Sequence, residues 1–113
     1  MSTYKGIVQQ GTKRASKLGF PTINIPLQDA KISGIYAARI QIAGDTYTAA
    51  VFADPERGLL EAHVLGFSGA FNEKEITIEL YEKIRESKQF VDDTLLRAEI
   101  ASDIIKVRKY FKV

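Results

Sequence analysis

The sequence predicts a small all-β fold, a barrel or sandwich, closed by one C-terminal helix. Three observations carry that expectation. Short apolar segments recur along the first ninety residues with turn-forming residues between them. Several alternate apolar and polar side chains, the period of two that places successive residues on opposite faces of a strand. In the last twenty residues the period changes to that of a helix. A chain of 113 residues can bury one core and is short for two, so residues 1–113 are expected to form a single domain.

Tyr4 to Gln9 reads as a strand that stops at Gly11. Residues 11–20 hold Gly11, Gly19 and several polar side chains with neither period, which marks a loop. Gly34 to Ile42 alternates, with Tyr36, Ala38, Ile40 and Ile42 on one face and Arg39 and Gln41 on the other. Gly44-Asp45 is expected to turn the chain, glycine supplying the positive φ of a type II′ hairpin. Thr46 to Phe52 returns, and Asp54-Pro55-Glu56-Arg57-Gly58 interrupts. Leu60 to Phe67 is the next strand, followed by Ser68-Gly69 and the polar Asn72-Glu73-Lys74. Glu75 to Tyr81 alternates again through Ile76, Ile78 and Leu80. Six or so strands at this spacing are what point to a barrel or sandwich. Asp92 or Asp93 can cap the closing helix. Leu96, Ile100, Ile104 and Val107 give it one apolar stripe, expected to pack on the strands.

Composition excludes several chemistries. Without cysteine there are no disulfides, thiolate nucleophiles or Cys-based zinc sites, and one histidine cannot build a multi-His metal site within a chain. No apolar run approaches the roughly 20 residues of a membrane span. The opening Met1-Ser2-Thr3-Tyr4-Lys5-Gly6 lacks the apolar stretch of a signal peptide. A cytoplasmic, monomeric protein with no membrane partner is therefore expected. The net charge of +2, from 16 basic and 14 acidic residues, is too small to argue for nucleic acid. Basic residues cluster at Lys13-Arg14-Lys17 and at Lys106-Arg108-Lys109-Lys112, the second of which suits a helix C-terminus.

The segment Gly19-Phe20-Pro21-Thr22-Ile23-Asn24 carries the most chemistry. Proline is tolerated as the first residue of a strand and pushes the preceding Phe20 into an extended conformation. Pro21 can thus set the angle at which the loop enters a strand. Thr22 and Asn24, two apart, then point to the same face. A hydroxyl and an amide oxygen are hard donors of the kind Mg2+ accepts, completed by waters and phosphate oxygens. Upstream, Gly11-Thr12-Lys13-Arg14 could offer backbone N–H groups and cations to phosphates. Taken alone, a Thr-x-Asn pair is more often an ordinary polar strand face.

With its neighbours, this segment resembles a family signature. Gly11 followed by Lys17-Leu18-Gly19-Phe20-Pro21-Thr22-Ile23-Asn24 is similar to the Gly-rich loop and Leu-Gly-Phe-Pro-Thr-Ala-Asn of the riboflavin kinase (flavokinase) family. Ser33-Gly34-Ile35-Tyr36-Ala37 resembles its Gly-Val-Tyr-Ala strand. Leu60-Glu61-Ala62-His63-Val64-Leu65-Gly66-Phe67 resembles its Val-Glu-Val-His-Ile-Leu-Asp-Phe segment. Ile84-Arg85-Glu86-Ser87-Lys88-Gln89-Phe90 resembles its Ile-Arg-x-Glu-x-Lys-Phe, and Asp103 fits the aspartate of its final helix. These matches are collinear from about residue 6 to residue 108.

The resemblance implies a six-stranded antiparallel Greek-key barrel with a C-terminal α-helix. It implies an ATP:riboflavin 5′-phosphotransferase that yields FMN and ADP, with ATP as co-substrate and Mg2+ or another divalent cation. Gly11, Thr12, Lys13, Arg14, Lys17, Gly19, Pro21, Thr22 and Asn24 would bind the nucleotide and its phosphates, Thr22 and Asn24 also the metal. Glu61 would be the general base, and Arg85, Lys88 and Phe90 would lie on the flavin side. The chemistry is consistent: phosphoryl transfer rests on positioning and charge neutralisation, and a carboxylate can accept the proton of a weakly acidic ribityl hydroxyl. His63 shares the face of Glu61 and is read as a packed, hydrogen-bonded residue.

The sequence departs from the family pattern in places. Ala15 and Ser16 stand where the phosphate loop carries a second glycine and an arginine, Gly66 replaces an aspartate, and Phe71-Asn72 replaces Tyr-Gly. The Asn-Ile-Gly and Pro-Thr-Phe region is reduced to Phe52–Gly58. No nucleotidyltransferase region precedes the barrel in this sequence, so FAD synthesis is not expected of it. A non-catalytic flavin- or nucleotide-binding module of the same fold is the alternative, and a small nucleic-acid-binding barrel a further one.

Overall fold

The computed structural model describes residues 2–10, 19, 22–29, 31–66 and 74–113. Its strands are β1 (Ser2–Ile7), β2 (Gln9–Gln10), β3 (Ile23–Pro26), β4 (Gly34–Ile42), β5 (Asp45–Asp54), β6 (Leu59–Val64) and β7 (Glu75–Arg85), followed by helix α1 (Asp93–Phe111). All pairings are antiparallel, in the order β1-β7-β4-β5-β6-β3-β2. β1 and β2 are one segment interrupted at Val8, whose N–H donates to Lys74 O at 2.8 Å. The two ends of the sheet are therefore the same strand, and six strands close into a barrel. β3 lies beside β6 while β4, β5 and β6 follow one another as neighbours, which is the Greek-key arrangement. Where β1 passes β3, a Cβ on Gly6 would lie 2.9 Å from Ile25 Cβ, so the absence of a side chain lets the seam close.

The alternation in the sequence explains the interior. Ile25, Ile40, Ile42, Val51, Leu60, Ile76 and Ile78 are all fully buried inside the barrel. On the outer face of β4 and β5, the small Ala37 and Ala50 let α1 lie close, with Val107 fully buried between them and Ile104 and Phe111 packed alongside. Asp92 is the N-cap, accepting the Thr94 N–H at 2.7 Å, while Arg108 and Lys109 occupy the last turn where cations suit the macrodipole.

Several details differ from the sequence reading. β6 ends at Val64, with Leu65 and Gly66 already in a turn, short of the expected Phe67. The β4–β5 turn is Ala43-Gly44, since Ile42 pairs with Asp45. Both turn residues have positive φ, +51° and +88°, so the hairpin is type I′ with a non-glycine in the left-handed region. β7 runs on to Arg85, past the expected end at Tyr81, because two register shifts against β4 interrupt the alternation there without ending the pairing. The apolar stripe of α1 divides: Ile104 and Val107 pack on the barrel, whereas Leu96 and Ile100 line a cleft. The turn at Ser68-Gly69 and the departures at Ala15, Ser16 and Phe71-Asn72 lie outside the described residues. Among the described residues no helix is long and apolar enough to cross a membrane.

Candidate active site

Pairing of β3 with β6 brings distant parts of the chain together. Asn24 is the direct partner of Glu61, Ile23 of Ala62 and Ile25 of Leu60. Ile25, Leu60 and Ala62 point into the barrel, so by alternation Asn24, Glu61 and His63 point outward. Thr22, just ahead of β3, lines the same cleft as Glu61 and His63. β5 continues this outer face, with Phe52 opposite Glu61 and Ala50 opposite His63.

Over that face lies a cleft of about 780 Å³, within the size range of small-molecule sites. Its floor is the outer surface of β3, β5 and β6. Its far wall is residues 87–91 and the first turns of α1, through Phe90, Leu96 and Ile100. The turn after β5 forms the rim: the Arg57 N–H donates to Asp54 Oδ1 at 3.3 Å and Arg57 Nε to Asp54 Oδ2 at 2.5 Å. The Arg57 guanidinium also sits 6.0 Å from the centre of the Phe52 ring.

The cleft combines apolar and oxygen-rich regions. Phe52, Phe90, Leu96 and Ile100 can cover a flat ring. At the other side, Asn24 is only 3% exposed. Thr22 Oγ1 and Glu61 Oε2 are buried and meet no hydrogen-bond partner among the described residues. Buried polar atoms are nearly always paired in folded proteins, so unsatisfied ones lining a cleft mark a place built for something else. No group of three His, Cys, Asp or Glu suited to a metal occurs among the described residues.

Arg85 and Asp103 join β7 to α1 across the edge of the cleft. Arg85 Nε and Nη2 donate to Asp103 Oδ1 and Oδ2 at 2.7 and 2.8 Å, Nη1 donates to Glu86 O at 3.0 Å, and Glu99 Oε1 lies 3.1 Å from Nε. This is the bidentate fork of a strong arginine–carboxylate pair. Burial disfavours the guanidinium charge, but Asp103 and then Glu99 outweigh it and raise the Arg85 pKa above its ordinary value. Gly34 makes room for this junction: it has φ +102°, and a Cβ there would lie 2.6 Å from Arg85 O.

Of the expected site residues, Thr22, Glu61, Arg85, Lys88 and Phe90 line this one cleft, with Asn24 directly across the sheet from Glu61. Gly19 is exposed with φ +91° and is not among the lining residues. Gly11, Thr12, Lys13, Arg14, Lys17 and Pro21 lie outside the described residues. Phe52, Ile35, Leu96 and Ile100 line the cleft without having been singled out for it. The available signal was the helix stripe, which extends further toward the N-terminus than packing on the barrel requires.

The chain matches the family model described as Flavokinase, riboflavin kinase, over residues 2–111. It is 33% identical over 119 residues to the bifunctional riboflavin kinase/FMN adenylyltransferase of Buchnera aphidicola subsp. Schizaphis graminum, spanning 96% of this chain and 38% of that protein. Proteins of the same description are 30% identical from Bacillus subtilis, spanning 95% of this chain and 38% of theirs. From Escherichia coli the identity is 30%, spanning 94% and 37%. This chain thus matches less than two fifths of the length of these curated relatives. A solved structure described as a macrolide-efflux protein from Streptococcus pneumoniae superposes with a TM-score of 0.80 at 21% identity, over 94% of this chain and 38% of that one. That likeness speaks to the fold alone. By the family match along nearly its whole length, the chain belongs to the riboflavin kinase (flavokinase) family.

Proposed function

We propose that this chain transfers the γ-phosphate of ATP to the 5′-hydroxyl of riboflavin in the cleft between the barrel and α1, releasing FMN and ADP. The observation that carries the reading is the juxtaposition of Glu61, Asn24 and Thr22 beside a cleft of about 780 Å³ with an apolar wall. The isoalloxazine ring lies between Phe52 on the barrel and Phe90, Leu96 and Ile100 on the opposite wall, which exclude water from it. The ribityl chain then runs toward Glu61. As the new O–P bond forms and the bond from the γ-phosphorus to the β–γ bridging oxygen breaks, the Glu61 carboxylate takes the hydroxyl proton.

The donor set suits a divalent cation. Thr22 and Asn24 offer neutral oxygens, Thr22 Oγ1 being buried without a hydrogen-bond partner among the described residues, and hard cations prefer such ligands. When bound, the cation neutralises charge on the nucleotide phosphates. Lys88, exposed on the same wall as Phe90, lies on the flavin side. Arg85, held by Asp103, keeps residues 86–90 against the cleft.

The test is chromatographic: pure protein is incubated with riboflavin, ATP and a magnesium salt, and FMN is sought. FMN formation that needs all three and is lost in Glu61→Gln supports the reading. Riboflavin bound without product would favour a non-catalytic flavin-binding module, and no flavin binding would end the proposal.

A further inference from the structure

Glu61 has two oxygens, and one of them is poorly explained by proton transfer alone. Oε2 is buried and has no hydrogen-bond partner among the described residues. A buried carboxylate oxygen left unpaired is costly, and such groups are normally found paired or coordinating a metal. The arginine of the cleft does not meet the need, because the Arg85 fork is committed to Asp103 at 2.7 and 2.8 Å.

The surroundings of Oε2 are oxygen-rich. Asn24 is the cross-strand partner of Glu61, a relation that places side chains on one face about 5 Å apart at Cβ. Thr22 lies one pleat further along, and its buried Oγ1 likewise has no hydrogen-bond partner among the described residues. A hydroxyl and an amide bring no charge to a cation, whereas Mg2+ in nucleotide-handling sites is ordinarily held through one or two carboxylates together with phosphate oxygens. On the outer face of β3 and β6 the carboxylate is Glu61. The other outward residues of these strands are Asn24, Pro26, Leu59 and His63.

We infer that Glu61 is itself a ligand of the divalent cation through its buried oxygen, completing with Thr22 and Asn24 a protein site that takes the ion before nucleotide arrives. The inference rests on the proposed use of a cation in this cleft. The two carboxylate oxygens divide the work: Oε2 on the ion, the other facing the hydroxyl.

Mn2+ serves as the probe. It is titrated into the full chain without nucleotide or flavin, and free Mn2+ is followed by electron paramagnetic resonance. One ion per chain is expected, with affinity at least about tenfold weaker in Glu61→Gln, by analogy with the loss on removing supporting groups of metal sites. Glu56→Gln, at the exposed rim of the cleft, should leave it unchanged. Should Glu61→Gln not fold, Mn2+-induced broadening of wild-type NMR signals, centred on Thr22, Asn24 and Glu61, reads the same site without substitution. Broadening elsewhere, equal affinity in Glu61→Gln and wild type, or no wild-type binding at millimolar Mn2+ would overturn the inference. A chain that makes FMN but fails these tests retains the proposed function and loses this ligand. A chain that binds Mn2+ through Glu61 but makes no FMN does the reverse.

Discussion

Replacing Arg85 by alanine should destabilise the fold more than any other single change at the cleft. The substitution removes both hydrogen bonds to Asp103, a residue only 3% exposed, and leaves its carboxylate buried without its partner. Breaking a buried ion pair from one side costs about 3–5 kcal/mol. The Arg85 side chain is 13% exposed, so some water can reach the vacated position, and the lower end, about 3 kcal/mol, is appropriate. For a chain of this length each kcal/mol corresponds to about 4 °C, giving a fall of about 12 °C in melting temperature. Urea denaturation and calorimetry would measure both quantities. The double variant Arg85→Met, Asp103→Leu should recover most of the loss, because it removes the buried Asp103 charge and leaves only the partly exposed Glu99 carboxylate, which water can reach. A loss below about 1 kcal/mol in Arg85→Ala, or a double variant no more stable than the single one, would refute the reasoning.

Three further outcomes are expected. Ala43→Asn should stabilise the β4–β5 hairpin by about 1 kcal/mol, since Ala43 occupies φ +51° at the first position of a type I′ turn where asparagine is favoured; a lower melting temperature would contradict this. The Lys31 N–H and then the Tyr4 hydroxyl, at 2.9 and 3.0 Å, hold the Asp29 carboxyl below its ordinary 3.8. A depressed carboxyl adds stability above its unfolded value and loses it as pH falls through the folded one. The melting-temperature difference between wild type and Asp29→Asn should therefore shrink as pH drops below 3.8, and a pH-independent difference would count against it. Leu96→Ala should raise KM for riboflavin with little loss of stability. Val107→Ala, from the same stripe but fully buried, should cost about 2 kcal/mol and leave KM unchanged. Equal KM effects would mean that the stripe is not divided as described.

Local pattern disclosed the strands better than the turns between them. The alternation from Tyr36 to Ile42 is the interior of β4 as folded, because burial on one face imposes that period directly. The hairpin was misplaced by one residue because nothing in the local pattern announces that alanine, not glycine, takes the first positive φ. The end of β7 was hidden by register shifts against β4, which are a property of the pair and not of either strand. The α1 stripe was legible as a period, but whether an apolar side chain meets a barrel or a ligand depends on what stands opposite. For the candidate site the limit is similar. Asn24 and Glu61 are neighbours only through the β3–β6 pairing, which no short window reveals, and the family resemblance supplied their association. The Arg85–Asp103 fork likewise joins residues on separate elements, and only the fold shows that they engage each other.

The most direct measurement is the turnover number of Glu61→Gln with saturating riboflavin, ATP and magnesium. If a carboxylate oxygen at this position accepts the hydroxyl proton, kcat should fall by at least about a hundredfold while the flavin still binds. Undiminished turnover in a folded Glu61→Gln protein would contradict the central claim.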